Sequence, residues 1–260
     1  MKIIEQTAEA AAELALLLGR AERVVAFTGA GASAASGVPT YRGQGGSWTK
    51  YDPAKYASIG YFRHDPTYYW RFFSDERYPA LVDAKPNPVH FTLAKLEQEG
   101  KLAALVTQNI DGLHQAGGSQ RVYELHGNSR RYPCEKCGVV HELGTVRELV
   151  KEQNPPICPQ CGAAAIRPDV VLFGEVLPEQ VLSEAFKEME RADLVIVVGS
   201  SLVVYPAASL PEATVRAGGS LVIMNIDPTP LDGIAELVIR APADQVLPEA
   251  VKLLDAEAVR

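Results

Sequence analysis

Four cysteines in this sequence have the spacing of metal ligands. They form two Cys-x-x-Cys pairs, Cys134 with Cys137 and Cys158 with Cys161, and 20 residues separate the pairs. Each pair places two thiolates on one tight turn, so that two such turns complete a tetrahedral zinc site. Because four thiolates leave no position open for water, the spacing predicts one structural Zn²⁺ per chain. Four free thiols are the alternative interpretation.

Short polar motifs follow apolar runs at five other places in the chain. They are Gly29-Ala-Gly-Ala-Ser33, Thr107-Gln-Asn-Ile-Asp111, His126-Gly127, Gly199-Ser-Ser-Leu202 and Asn225-Ile-Asp227. Glycines at the carboxyl end of a strand let the backbone approach a pyrophosphate, and open α/β sheets bind ligands at that edge. Together the motifs predict a nucleotide site. Singly, each has an ordinary explanation, because Gly, Asn and Asp are common turn formers and a lone His is most often structural.

The segment after the first glycine turn is unusual for a dinucleotide-binding fold. Ser36-Gly-Val-Pro39 interrupts the expected helix after about one turn, because proline lacks a backbone donor and clashes with the preceding turn. We therefore expect the chain to leave the sheet early and to cover the nucleotide with a loop. This expectation argues against a dehydrogenase of the ordinary kind.

Apolar runs alternate with helical patterns along the chain, and these elements must position the motifs. The predicted strands are 23–28, 102–107, 193–198, 221–226 and 236–239, and the predicted helices are 7–20, 88–99, 178–192 and 247–258. Strands that alternate with helices are typical of a parallel sheet covered on both faces. The predicted fold class is α/β, with a Rossmann-like parallel sheet domain.

Two segments depart from this alternation. Residues 40–85 are rich in aromatic residues, proline and glycine, and residues 129–169 contain all four cysteines. We interpret them as two insertions that together form a smaller domain, a helical module with a four-cysteine zinc ribbon. The predicted Rossmann-like domain then consists of residues 1–40, 86–128 and 170–260, and the small domain consists of residues 41–85 and 129–169.

Composition and charge limit the possible partners. The 260 residues carry a formal net charge of −7, which argues against a general affinity for nucleic acid. No apolar run approaches the roughly 20 residues that span a bilayer. The N-terminal segment carries Glu5, Glu9 and Glu13, unlike a signal peptide. We expect a cytoplasmic monomer that contacts no membrane and binds no nucleic acid directly.

Taken in order, the motifs resemble the pattern of the sirtuin family. The resemblance extends over residues 22–245 and adds Thr40-Tyr-Arg42 and Phe173-Gly-Glu175 to the motifs above. It is closest to bacterial and archaeal NAD-dependent protein-lysine deacetylases. The resemblance implies an enzyme that consumes NAD as a co-substrate and yields nicotinamide, O-acetyl-ADP-ribose and free lysine.

The resemblance also implies roles for individual residues. The acyl oxygen attacks C1′ of the nicotinamide ribose, after which His126 acts as general base through the ribose hydroxyls. Asp111 holds the nicotinamide carboxamide, and Asn109 orders a water molecule. The implied NAD contacts are Gly29, Ala30, Gly31, Ser33, Ala34, Tyr41, Arg42, Gln108, Asn109, Ile110, Asp111, Gly199, Ser200, Ser201, Asn225 and Gln245.

Two edges are implied for binding of the acylated protein substrate. They consist of Val171, Phe173, Gly174 and Glu175 on one side and Leu202, Val203 and Val204 on the other. A peptide that inserts between them as an extended strand gains affinity from backbone pairing, with modest sequence specificity.

Thr40 departs from the family pattern, since most members have Asp at that position. Thr occurs in a desuccinylating branch, which also has a Tyr and, three residues on, an Arg that bind the acyl carboxylate. Alignment on Asp65-Pro66 places these two positions at Phe73 and Glu76. Because Glu76 would repel a carboxylate, we expect acetyl-lysine to be preferred over succinyl-lysine. Arg77 is an alternative that a shifted helix would bring in.

Other interpretations remain open. Tyr68 and Arg71 have the spacing of the acyl-binding pair but lie about one turn too early. Alternative functions are desuccinylation or removal of another long or acidic acyl group, mono-ADP-ribosylation of a protein, and a non-enzymatic NAD-sensing or zinc-ribbon binding module. His126 favours deacylation, because transfer to a protein nucleophile needs no activated ribose hydroxyl.

Overall fold

Parallel strands form the centre of the molecule, which the computed structural model describes over residues 2–42 and 45–258. Within these ranges the strands are β1 (Lys2–Ile4), β2 (Val24–Thr28), β3 (Leu102–Thr107), β4 (Val122–Glu124), β5 (Gly127–Asn128), β6 (Arg131–Pro133), β7 (Val140–Glu142), β8 (Asp169–Val170), β9 (Leu194–Val198), β10 (Ser220–Met224) and β11 (Leu237–Ile239). Seven of them form one parallel sheet in the order β1-β11-β10-β9-β2-β3-β4. The predicted α/β fold class is confirmed.

Helices cover both faces of this sheet. In the described part of the chain the α-helices are α1 (Thr7–Arg20), α2 (Pro53–Tyr56), α3 (Ile59–His64), α4 (Thr67–Phe72), α5 (Tyr78–Val82), α6 (Pro88–Gln98), α7 (Leu113–Ala116), α8 (Leu143–Glu152), α9 (Glu179–Arg191), α10 (Leu210–Arg216) and α11 (Ala243–Ala258). Helices α1, α6 and α11 pack on one face, and α9 and α10 pack on the other. None of the described helices has the length and apolar character needed to cross a membrane.

Strand β2 shows how the sequence builds two apolar layers. Val24 and Ala26 contribute to the core under α1, α6 and α11, whereas Val25 and Phe27 contribute to the opposite core. Side chains alternate between the two faces along a strand, so a strand with two covered faces must be apolar throughout. Every residue of β2 and of β9 is buried, as this argument requires.

The order of the strands reverses between β2 and β9. From β2 the chain continues outward through β3 and β4, and from β9 it continues in the other direction through β10 and β11. A reversal of this kind leaves a crevice outside the carboxyl ends of the two strands, where open α/β sheets bind ligands. The motifs that follow β2 and β9 therefore lie beside each other.

Two glycine turns pack against each other in this crevice. The Gly29 N–H donates to the Val198 carbonyl (3.0 Å), and the Gly31 N–H donates to the Gly199 carbonyl (2.9 Å). Gly199 has a φ of +63°, a conformation that favours glycine. A Cβ at Gly199 would lie 2.3 Å from the Ala32 nitrogen, so both the conformation and the close approach exclude a side chain there.

The two insertions form a module beside the sheet. Helices α2 to α5 arise from the first insertion, and the antiparallel pair β6–β7 and helix α8 arise from the second. Their shared core includes Trp70 and Phe73 from the first insertion and Tyr132, Val146 and Ile166 from the second. Because this core joins both insertions, we propose the division into two domains at the boundaries given above.

Several elements differ from the sequence-based prediction. Strands β1 and β4 and helix α10 were not predicted, because three-residue strands and a seven-residue helix carry too little periodicity. The first glycine turn continues as a 3₁₀ helix over Ala30–Ser36, longer than the single turn expected, and ends at Gly37 with φ +79°. Strand β10 ends at Met224, two residues before its predicted end.

Helix α11 begins at Ala243 rather than at residue 247. The N–H groups of Gln245 and Val246 both donate to the Pro242 carbonyl (3.1 and 3.0 Å), so a helical turn forms before Pro248. The prediction placed Pro248 in the first turn, where proline is most common. The structure instead accommodates Pro248 inside the helix.

Candidate active site

A cavity of about 630 Å³ lies at the carboxyl edge of the sheet, over the crevice between β2 and β9. Both glycine turns border it, and so do the ends of β3 and β10. The predicted site residues that border the cavity are Gly29, Ala30, Gly31, Ala34, Tyr41, Arg42, Gln108, Asn109, Ile110, His126, Val171, Phe173, Gly174, Glu175, Gly199, Ser200, Ser201, Val204 and Asn225. Tertiary structure thus brings together residues from all five polar motifs and from the two motifs that the resemblance added.

Glycine turns leave the floor of the cavity free of side chains. A Cβ at Gly29 would lie 2.7 Å from the Gly199 carbonyl oxygen, and a Cβ at Gly31 would lie 2.6 Å from the Gly199 Cα. The Gln108 side chain donates to Ser200 Oγ (2.7 Å) and joins the ends of β3 and β9. This bare backbone, flanked by polar side chains, is suited to a dinucleotide.

A buried network supports Asn109 from behind the cavity. Ser33 Oγ donates to Asp111 Oδ2 (2.7 Å) and accepts from the Asn109 side-chain amide (3.1 Å). His90 Nδ1 accepts the backbone N–H of Asn87 (3.0 Å), so the other ring nitrogen carries the hydrogen that points to Ser33 Oγ, 3.3 Å away. Because Ser33 Oγ accepts from both Asn109 and His90, its own hydrogen is directed at Asp111.

Ser33 and Asp111 belong to this network and do not border the cavity. Both side chains are buried, and they are hydrogen-bonded to each other. Ser33 Oγ donates to one Asp111 carboxylate oxygen (2.7 Å) and the Leu113 N–H donates to the other (2.9 Å). The contact of Asp111 with the nicotinamide carboxamide stays a prediction.

A second buried histidine supports the backbone of Asn109. Its Nε2 lies 2.9 Å from Thr28 Oγ1, which donates to Thr107 Oγ1 (2.8 Å), and Thr107 Oγ1 accepts the Asn109 N–H (3.0 Å). This residue is His114, on helix α7. Burial and, to a lesser extent, the neighbouring His90 lower the pKa of His114 to about 3. His114 is therefore neutral at physiological pH.

His126 borders the cavity with one ring nitrogen free. Its Nδ1 lies 3.0 Å from the Gln108 carbonyl oxygen, and a carbonyl only accepts, so Nδ1 carries the hydrogen. Nε2 is then unprotonated and able to accept a proton. Burial lowers the pKa of His126 below its usual value, although the Gln108 carbonyl opposes this effect. The ring is consequently a neutral base near pH 7.

The two expected substrate edges differ in how they meet the cavity. On the first edge, Phe173 is fixed on one side, because its N–H donates to the Ala57 carbonyl (2.9 Å) and its carbonyl accepts from Ile59 (3.0 Å). On the second edge, Val204 borders the cavity, whereas Leu202 and Val203 do not. Leu202 is buried and has a φ of +53°, so it anchors this edge.

The four cysteine sulfurs fit one zinc ion. All lie within 4.8 Å of one another, and the Sγ–Sγ distances are 3.7 Å for Cys134–Cys161 and 3.8 Å for Cys137–Cys158. A tetrahedral site with Zn–S bonds of about 2.3 Å requires sulfur separations of this size, and a disulfide requires about 2.05 Å. His141 Nε2 lies 3.4 Å from Cys158 Sγ and adds a polar contact to the ligand.

Comparison with known proteins agrees with this geometry. A model of the Sir2 family matches residues 29–206. The NAD-dependent protein deacylase of Thermococcus kodakarensis is 46% identical over 241 residues, which are 92% of this chain and 93% of that protein. The chain belongs to the Sir2 family. The NAD-dependent protein deacetylase of Sulfurisphaera tokodaii is 47% identical to this sirtuin over 234 residues, 90% of this chain and 91% of that protein.

Solved Sir2 structures share the whole fold of this sirtuin. A complex with a deacetylated p53 peptide and 3′-O-acetyl-ADP-ribose has a TM-score of 0.89 and 42% identity, and covers 93% of this chain and 97% of the other. A complex with a p53 peptide and NAD⁺ has a TM-score of 0.83 and 41% identity, and covers 95% and 98% of the two chains.

The acyl-binding positions predicted at Phe73 and Glu76 are wrong. Phe73 is fully buried in the core of the small domain, and Glu76 accepts a hydrogen bond from Ser47 Oγ (3.1 Å). Neither borders the cavity, but Arg77 does. The reason is a π-helical turn over Phe73–Arg77, which inserts one residue into the helix and rotates the next side chain to the cavity. The preference for acetyl-lysine that depended on Glu76 thereby loses its basis.

Some cavity residues escaped sequence analysis. They include Trp48, which stacks on Tyr41 with ring centroids 5.2 Å apart, and Ala57. Arg77, named above as an alternative, also borders the cavity. Near the start of α11, Asp244 borders the cavity and the predicted Gln245 does not. The earlier start of α11 explains this difference, because it changes which side chain of the first turn points inward. In the sequence, Asp244 is a polar residue just before the predicted start of this helix at residue 247, and this position could have indicated its role.

Removal of zinc is expected to unfold the small domain and abolish activity indirectly. The free energy of binding a structural zinc, about 10–16 kcal/mol in small zinc domains, is also folding free energy. Metal analysis of the purified protein should find one zinc per chain, and Cys134→Ala or Cys161→Ala should lower the melting temperature. Re-addition of zinc to chelated wild type is the control. A metal-free protein with unchanged melting temperature and activity would contradict the structural role.

Stability is expected to fall below pH 6.5 because of His114. Its pKa is about 3 in the folded chain and about 6.5 when unfolded, so below pH 6.5 the unfolded chain binds a proton that the folded chain does not. The free energy of unfolding then decreases by up to about 1.4 kcal/mol per pH unit.

Chemical denaturation at pH 6.5 and pH 4.5 measures this effect. His114→Gln retains a donor toward Thr28 but does not titrate. Between pH 6.5 and pH 4.5 we expect the free energy of unfolding of this variant to decrease by about 2 kcal/mol less than that of wild type. Loss of zinc at low pH affects both proteins, so the difference between them isolates His114. Equal losses in the two proteins would show that the histidine titrates normally.

Proposed function

We propose that this sirtuin is an NAD-dependent protein-lysine deacetylase that yields nicotinamide, O-acetyl-ADP-ribose and free lysine. The observation that carries the proposal is the geometry of His126, which borders the cavity together with both glycine turns and whose Nδ1 lies 3.0 Å from the Gln108 carbonyl oxygen, so that Nε2 is left to act as a base. A protein that only bound NAD would need no base there. The names of the relatives, NAD-dependent protein deacylase and deacetylase, agree with this activity.

We propose one orientation for bound NAD. Its pyrophosphate belongs over the backbone of the two glycine turns, and its adenosine belongs beside Asn225 and Asp227, which follow β10. The nicotinamide ribose then lies beside Gln108 and Asn109. When bound, NAD supplies the ribose carbon that accepts the acyl oxygen as nicotinamide leaves.

The residues of the chain orient the reactants and move one proton. His126 Nε2 accepts a proton from a ribose hydroxyl, and the Gln108 carbonyl keeps the ring in the required tautomer. Asn109 orients a water molecule at the nicotinamide end. Asp111 also positions Asn109 through Ser33, which donates to Asp111 and accepts from the Asn109 amide.

The acylated protein binds as an extended strand between the two substrate edges. The backbone of Phe173 is occupied by its bonds to Ala57 and Ile59, whereas the N–H and carbonyl groups of Gly174 have no hydrogen-bond partner among the described residues. Pairing on both sides would hold the acyl-lysine over the cavity with little dependence on sequence. A solved Sir2 structure holds a p53 peptide together with NAD⁺, in agreement with this arrangement.

Arg77 favours a second candidate function, the removal of acyl groups that end in a carboxylate. Its guanidinium borders the cavity, donates to the Tyr41 hydroxyl and lies 4.8 Å from the Tyr41 ring. Within the described residues, its Nε is buried without a partner, and no carboxylate forms an ion pair with it. Because a buried arginine remains charged, an acyl carboxylate would complete its pairing.

The proposal extends to the setting of the enzyme. Four cysteines that share one metal site are typical of a reducing compartment, so we propose that the protein works in the cytoplasm. We also propose that it acts as a monomer, because all the cavity residues described above come from one chain. Light scattering at assay concentration tests the oligomeric state.

His126→Ala is expected to lower the rate of deacetylation by about 10²–10⁴, the usual effect of removing a positioned general base. NAD binding and the melting temperature should change little, and nicotinamide exchange, which precedes the base step, should suffer less. His64→Ala, at an exposed position, is the matched control. In wild type, the acid limb of kcat/KM should lie below pH 6.5, because burial lowers the pKa of His126. Near wild-type turnover in His126→Ala would refute the assignment.

Arg77→Met is expected to lower kcat/KM for a succinyl-lysine peptide by about 10- to 100-fold, because it removes a charged donor and retains most of the side-chain volume. Activity on the matched acetyl peptide should change only a few-fold, since an acetyl group has no carboxylate. Arg71→Met, on the exposed side of α4, is the control. Equal losses for the two peptides would show that Arg77 acts only through the fold.

A further inference from the structure

Large apolar side chains are exposed along both substrate edges. Phe173 is 41% exposed and Val176 91% exposed on the first, and Val203 is 45% exposed and Tyr205 62% exposed on the second. We call these four side chains the apolar rim. Single exposed apolar residues are ordinary, but a group at the mouth of a cavity is a feature of binding surfaces.

None of the four rim side chains is a carboxylate, an ammonium or a guanidinium group. Glu175 is the one acidic or basic residue in the segments 171–177 and 202–205. Its carboxylate accepts from Arg167 (3.0 and 2.9 Å) and from the Leu172 N–H (2.8 Å). Burial alone would raise the pKa of Glu175, but these donors lower it. The carboxylate is consequently occupied within the protein, and the rim cannot select a basic neighbour of the acyl-lysine through it.

The backbone next to the rim is available for pairing. Within the described residues, the N–H and carbonyl groups of Gly174 and Val203 have no hydrogen-bond partner. A strand that pairs with them presents successive side chains to opposite faces. When the acyl-lysine enters the cavity, the side chains within two positions of it therefore pass along the apolar rim.

We propose that the apolar rim selects acyl-lysines that have an apolar residue within two positions on either side. The proposal rests on the proposed deacetylase function and names the sequence context of its substrate. The physical reason is that a flanking apolar side chain and the exposed rim side chains remove each other from water on binding. A flanking carboxylate or ammonium would lose hydration and find no partner.

Matched acetyl-lysine peptides test the preference. A reference peptide has Ser at each of the two positions before and after the acetyl-lysine, and its variants carry Leu, Asp or Lys at one of these positions at a time. At saturating NAD we expect Leu at one or more positions to raise kcat/KM about five- to tenfold, mainly through a lower KM. Asp or Lys at the same position should not exceed Ser.

Rim variants separate this effect from a general loss of structure. Val176→Ser and Tyr205→Ser should each reduce the ratio of kcat/KM for the Leu peptide to that for the Ser peptide. Val82→Ser is the matched control, since Val82 is 48% exposed and does not border the cavity, and it should keep the wild-type ratio.

The outcomes distinguish the inference from the function on which it rests. Turnover of all peptides with no advantage for Leu, an advantage for Lys or Asp, or an unchanged ratio in both rim variants would overturn the inference and leave the deacetylase function intact. Failure to turn over any acetyl peptide would instead overturn the proposed function.

Discussion

The contact between the two glycine turns is the constraint on which the rest of the structure depends. Strands β2 and β9 are neighbours, and their turns pack so closely that a Cβ at Gly199 would overlap the Ala32 nitrogen. This packing has two consequences. It forms a floor of bare backbone on which a dinucleotide can lie, and it brings the residues after β3, β4 and β10 around the same cavity. The sheet order produces this contact, since the chain proceeds in opposite directions from β2 and β9.

Behind that floor, polar groups are buried only where each finds a partner. The cap of helix α6 fixes the hydrogen of His90, and two threonines connect His114 to the backbone of Asn109. Such networks are costly when incomplete and rigid when complete. Asn109 is therefore held from two sides by residues that never border the cavity. His126 depends on a single partner, because the Gln108 carbonyl accepts from Nδ1 and so leaves Nε2 free.

The small domain contributes to the site through its folding as well as its side chains. The zinc site joins the turns of the second insertion, while the aromatic core joins both insertions to each other. On that support, the π-helical turn rotates Arg77 toward the cavity, where Tyr41 stacks against it. One inserted residue in a helix thus changes the chemistry available at the acyl end, although no residue type in the segment has unusual chemistry by itself.

The sequence by itself determined the longer apolar strands, the glycine turns, the four-cysteine site and the position of His126 after an apolar run, because each depends on local spacing. Helix α1 and strand β3 have the bounds that periodicity predicted. Strand β1 could not be predicted in this way, because three residues form a strand only by pairing with β11, more than 230 residues away. Contacts between distant segments likewise determine that Arg77 and not Glu76 borders the cavity, and that Asp111 lies behind it. Which residue of a helix points inward, and which partner occupies a carboxylate, depend on contacts between distant segments, and only the tertiary structure decides them.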